Sequence, residues 1–116
     1  MHQHHGINYL EIPCRQFEAS KAFFGQVFGW RFTDYGPDYS CFLGTGIDGG
    51  FYRAEEQFDC TRGCPLVVLY SNDLNASQNS VREAGGQIVK PVFAFPGGRR
   101  FHFSDPSGNE YAVWSE

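Results

Sequence analysis

Long apolar runs are missing from this chain. Nowhere does it reach the roughly 20 apolar residues in a row that a helix needs to cross a bilayer, so no membrane partner is expected. Clustered positive charge is missing too. Nine Lys and Arg stand against thirteen Asp and Glu, for a net charge of −4. The nine are scattered, which leaves no footprint for a phosphate backbone and excludes nucleic acid as an expected partner. The opening MHQHHG has no apolar core of a signal peptide, so a cytoplasmic location is expected. Cys14, Cys41, Cys60 and Cys64 are then expected to stay reduced. No nucleophile elbow, phosphate loop or Ser-His-Asp order is visible, which leaves covalent catalysis without support. Cys60 and Cys64 make a C-x₃-C with no second Cys or His pair at finger-like spacing. They read as small apolar linker residues, not a structural zinc site.

Aromatic side chains are abundant: twelve Phe, six Tyr and two Trp among 116 residues. That is enough apolar surface for one core and too short a chain for two independent ones, so residues 1–116 are expected to form a single domain. Ile7 to Ile12 alternates, putting Tyr9 and Glu11 on one side of a strand and Asn8, Leu10 and Ile12 on the other. Phe17, Ser20, Phe24, Val27 and Phe28 share one helical face, and Gly29 stands where a left-handed cap belongs. Short strand-like pieces follow at Trp30–Phe32, Tyr39–Leu43 and Gly50–Tyr52.

A second cycle begins after an aperiodic, charged stretch. Leu66–Tyr70 reads as a strand, Asp73 as a helix N-cap, and Leu74, Gln78, Val81 and Ala84 as a helical stripe ended by Gly85-Gly86. Strands are then expected at 87–89, 92–95, 100–103 and 110–114, with a tight turn at Asp105-Pro106-Ser107-Gly108-Asn109. Tyr9 to Leu66 and Gly29 to Gly86 are each offset by about 57 positions, as a duplication gives. The reading is α+β: two βαβββ modules (about 6–53 and 64–116, with a linker at about 54–63) forming a cupped, open eight-stranded mixed sheet, helices on the convex side.

FEASKAFFGQVFGW, SNDLNASQNSVREAGGQIVKP and RRFHFSDPSGNEYAVW, in that order and spacing, resemble the vicinal oxygen chelate superfamily of glyoxalases, bleomycin-resistance proteins and extradiol dioxygenases across nearly the whole chain. The resemblance implies paired modules, usually dimeric, with small-molecule sites in the cups. It also implies, for the family's metal enzymes, His or Glu ligands on the first and last strand of each module. Here the aligned positions are Tyr9, Leu66 and Ala112, with Phe51 and Tyr52 ending the first module, and none is an imidazole or carboxylate. No metal is therefore expected as cofactor. The alternative is a divalent metal in a site rebuilt from Glu11, Glu110 and His102, although Glu110 also fits a solvated rim beside the turn. His2, His4 and His5 read as a tag-like or frayed leader, not a metal tract.

Strand parity gathers Tyr9, Glu11, Cys41, Leu66, Val68, Tyr70, Ala112 and Trp114 on the inner surface, together with Trp30, Tyr39 and His102. Aromatic faces attract cations, and a carboxylate supplies the counter-charge. The expected function is metal-independent binding of an aromatic or cationic organic molecule in a concave cleft, by a homodimer. The competing reading is a lyase or isomerase of the same fold, using the rebuilt metal site or acid/base chemistry. In the latter Glu11 is the candidate base, its pKa raised by apolar surroundings, or paired with Arg99 or Arg100 if merely structural, with Tyr9 or His102 as hydrogen-bond donor. A third reading is an interaction domain whose cups a partner fills.

Overall fold

The computed structural model describes residues 2–116. The first module runs β1 (Tyr9–Cys14), α1 (Phe17–Phe28), β2 (Arg31–Asp34), β3 (Tyr39–Leu43) and β4 (Asp48–Arg53). The second repeats the order with β5 (Val67–Tyr70), α2 (Leu74–Glu83), β6 (Gln87–Phe95), β7 (Gly98–Ser104) and β8 (Glu110–Ser115). Each module makes a four-stranded sheet, ordered β1-β4-β3-β2 and β5-β8-β7-β6. The first strand pairs parallel with the fourth in both, and the remaining pairs are antiparallel. The chain is thus an α+β fold of two βαβββ modules with open sheets. Leu66 stands one residue ahead of β5, half-buried. No helix among the described residues is long and apolar enough to cross a membrane.

The helices form where periodicity and capping coincide. In α1, Phe17, Ser20, Phe23 and Phe24 are buried, and Gly29 takes the left-handed cap at φ 72°. Phe23 is the member of the stripe that the sequence reading omits. In α2 the Asp73 carboxylate accepts the Ala76 amide, and Leu74 and Val81 turn inward. Gly85, not Gly86, carries the positive φ after α2. Gly86 serves packing instead, because a Cβ there would stand 2.8 Å from both the Phe23 ring and Val81.

Both helices and the helix-facing rows of both sheets share one core. Phe24 lies at its centre, with ring centroids 5.9 Å from Phe51 of the first sheet and 5.0 Å from Tyr111 of the second. Trp30 belongs to this core: it is buried and stacked on Phe24 at 4.5 Å. It packs with the core and also lines the crevice between the modules. Trp30 precedes β2, so strand parity does not govern where it points.

The Asp105–Asn109 turn joins the modules. The Asp105 carboxylate accepts the Ser107 and Asn109 amides at 3.1 and 2.9 Å and the Ser20 hydroxyl of α1 at 3.0 Å. Asn109 donates to the Pro13 carbonyl of β1 and accepts the Phe58 amide of the linker. Glu110 is delivered to the far face of the second sheet from this anchored turn.

Candidate functional site

The row of the first sheet that faces away from the helices carries Tyr9 and Glu11 from β1 with Tyr39 and Cys41 from β3. Glu11 and Cys41 both register with Gly50 on the intervening β4. The Tyr39 phenol donates to Glu11 Oε2 at 2.9 Å and sits 2.6 Å from the Tyr9 hydroxyl, which in turn lies 3.4 Å from Cys41 Sγ. With Tyr39 donating to the carboxylate, the Tyr9 hydroxyl donates to Tyr39, and the chain of donors ends on Glu11. Burial, then the bonds to Tyr9 and Glu11, hold Tyr39 well above the usual phenol range. The bond to Cys41 raises Tyr9 also. Both phenols are protonated at neutral pH.

One hollow lies on this row, and a second opens between the modules on the side of Leu10 and Phe42. The first, of about 310 Å³, lies over Tyr9, Thr33, Tyr35, Cys41, Leu43 and Asp48. The other, of about 330 Å³, is the crevice between the modules; it is lined by Leu10, Phe28, Trp30 and Phe42 on one side and Val67, Val68, Leu69 and Tyr70 on the other. Tyr9 and Tyr70 are 43% and 53% exposed, so rings stand open to whatever enters.

Glu11 is exposed, not set in the apolar surroundings expected of it. Its partner is Tyr39, and no ion pair among the described residues joins it to Arg99 or Arg100. Arg100 lies over the Phe93 and Phe95 rings instead, at 5.4 Å from each.

On the second sheet the corresponding row is ordered by register: Val68, Ala112, His102 and Lys90 lie side by side, with Tyr70, Trp114 and Arg100 in the next rank. Tyr70 and Trp114 meet edge-on at 5.2 Å. His102 and Glu110 are 2% and 9% exposed, with His102 Nδ1 2.8 Å from Glu110 Oε2. Glu110 is therefore no rim residue. Its other oxygen accepts the Cys60 amide at 3.3 Å, because the linker's short 3₁₀ turn at Cys60–Arg62 comes down against this end of the sheet. Cys60, expected to be an inert linker residue, lies beside the pair, and burial followed by the Glu110 carboxylate pushes its thiol up. Spacing alone gave no signal for this contact, since the partners are about 40–50 residues away in sequence.

Of the three residues expected to rebuild a metal site, His102 and Glu110 come together and Glu11 does not. The close His/Cys/Asp/Glu group among the described residues is Cys60, His102 and Glu110. Nor do the family's metal positions fit a divalent cation. Leu66 and Ala112 have no donor atom, Ala112 is fully buried between its neighbours, and the Tyr9 phenol keeps its proton.

Comparison with known proteins adds lineage to this geometry. The family model for the glyoxalase/bleomycin resistance protein/dioxygenase superfamily matches residues 6–113. The anthracycline biosynthesis protein DauV of Streptomyces sp. (strain C5) is 29% identical, over 91% of this chain and 45% of its own length. The chain thus spans about half of that relative. Among solved structures, a glyoxalase-related enzyme from Fulvimarina pelagi superposes with TM-score 0.79 at 17% identity, over 96% of this chain and 88% of the other. TnmS3, an antibiotic binding protein from Streptomyces sp. CB03234, superposes with TM-score 0.68 at 21% identity, over 95% and 94%.

Proposed function

Because the chain belongs to the glyoxalase/bleomycin resistance protein/dioxygenase superfamily, we propose that it is a metal-independent small-molecule binding protein, holding a flat aromatic, cationic ligand against the open face of the first sheet. The observation that carries this reading is the Tyr9–Tyr39–Glu11 chain at the edge of a ring-lined hollow. Tyr faces stack on an aromatic ligand, and Glu11 with Asp48 meets its positive charge. The names of two relatives agree in kind: one protein of anthracycline biosynthesis and one antibiotic binder. An anthracycline, a planar aromatic bearing an amino sugar, is therefore the probe of choice.

Each hollow stands at the small end of the range for ligand sites and is open on one side, whereas a bound drug-sized molecule loses most of its surface to the protein. A second wall is needed. We assign it to a second copy of the chain, since the open row of the first sheet carries Glu11 and Asp48 while that of the second carries Lys90 and Arg100, charges suited to face one another. Equilibrium sedimentation is expected to give twice the chain mass.

The test of binding is a titration of anthracycline fluorescence in the presence of a chelator, paired with thermal denaturation. Saturable quenching is expected, and at about a hundred times the dissociation constant the ligand adds about 2.7 kcal/mol of stability. Binding that disappears with the chelator would refute metal independence, and absence of any saturable binding would refute the ligand class.

A further inference from the structure

His102 has one ring nitrogen too many for its surroundings. Glu110 occupies Nδ1, while Nε2 is buried without a partner on a side chain only 2% exposed. A buried ring nitrogen left unpaired is costly, and no group among the described residues pairs with it. A third ligating group stands close: Cys60 Sγ, an imidazole nitrogen of His102 and a Glu110 oxygen all lie within 4.8 Å of one another. The three come from different segments, the linker, β7 and β8, and the Phe93 ring flanks the imidazole at 5.8 Å.

The donor set chooses the ion. A thiolate with an imidazole and a carboxylate suits zinc and its neighbours, whereas magnesium and calcium prefer oxygen alone. Tetrahedral zinc, with bonds of about 2.0–2.3 Å, sets its ligand atoms roughly 3.3–3.8 Å apart. The 4.8 Å limit on their spread leaves at most about 1–1.5 Å of closure to reach that spacing. Cys60 on its short linker turn can supply it, while the 2.8 Å hydrogen bond between His102 and Glu110 on their paired strands gives way to metal bonds.

We propose that Cys60, His102 and Glu110 form a zinc-class metal site with three protein ligands and a fourth position left for water or another donor. Bound metal clamps the linker onto the second sheet. The site shares no residue with the Tyr9–Tyr39–Glu11–Cys41 chain and is independent of the ligand-binding reading. It also differs from the family's metal positions: His102 stands opposite Ala112 on β7, and Glu110 precedes Ala112 on β8.

The test uses the full chain with His2, His4 and His5 changed to Asn, so that the leader offers no competing imidazoles, stripped of metal and titrated with cobalt(II). A thiolate-to-cobalt charge-transfer band saturating at one ion per chain is expected. It should persist in Cys64→Ser, vanish in Cys60→Ser and be displaced by zinc. Zinc should also raise the melting temperature of the parent and not of Cys60→Ser. His102→Gln should lose the band while keeping the parent's circular dichroism; if that buried change unfolds the chain, Cys60→Ser on the linker turn decides alone. No band in the parent, or a band indifferent to Cys60→Ser, overturns the site. Anthracycline binding measured under chelator is a separate readout, so its failure leaves the metal result standing, and the converse holds.

Discussion

A Cβ placed on Gly50 would stand 2.6 Å from the Tyr39 hydroxyl, so the phenol reaches Tyr9 and Glu11 only because residue 50 has no side chain. The clash falls on the tip of a movable ring, which can swing away. Gly50→Ala is therefore expected to cost about 1 kcal/mol of stability in denaturant unfolding while displacing Tyr39 from the chain of donors. Tyr39→Phe removes the same hydroxyl without moving the ring. Both variants should weaken anthracycline binding about tenfold, which corresponds to about 1.4 kcal/mol, and Tyr39→Phe should unfold at nearly the parent's midpoint. Unchanged binding in Tyr39→Phe would remove the phenol chain from the site. Parity along β1 and β3 made Tyr9, Glu11, Tyr39 and Cys41 legible as one row. Gly50 was legible as a glycine, but a sequence does not say which side chain passes over it.

At the scale of elements, the turn between β7 and β8 carries a titration. Burial lifts Asp105 from the ordinary carboxylate value of 3.8 to about 6, against the opposing bonds from Asn109, Ser20 and Ser107. The folded chain thus holds the Asp105 proton more tightly than the unfolded chain does. Its contribution is fully present below about pH 4, is lost as pH rises through about 6, and stays lost above that. The span is on the order of 2–3 kcal/mol. Asp105→Asn keeps an oxygen for the Ser107 and Asn109 amides and carries no charge, so urea unfolding between pH 4 and 7 should lose most of this slope. A parent whose stability does not fall over that interval more than the variant's would contradict the assignment. The Asp-Pro-x-Gly-Asn turn was readable from its residue types, and its role in the fold with it. The burial of Glu110 was not, because the segment that covers it is aperiodic linker, and an aperiodic stretch gives no parity from which to place Cys60.

For the whole molecule, a duplication by itself is compatible with each module being a folding unit with its own helix and sheet. Packing argues otherwise. Phe24 belongs to the first module, yet its ring contacts Trp30 and Phe51 there and Phe103 and Tyr111 in the second, and the Asn109 amide group reaches the Pro13 carbonyl between modules. A module on its own would expose the ring surface that the other now covers, with too short a chain to bury it otherwise. Unfolding is therefore expected as one transition, with calorimetric and van't Hoff enthalpies equal. Phe24→Ala should lower stability by about 3–5 kcal/mol and move that single transition without dividing it. Residues 6–53 alone should show no cooperative melt. Two transitions in the parent, or a Phe24→Ala chain in which the second module melts at its original temperature while the first is lost, would mean that the modules are joined by the linker and not by a common core.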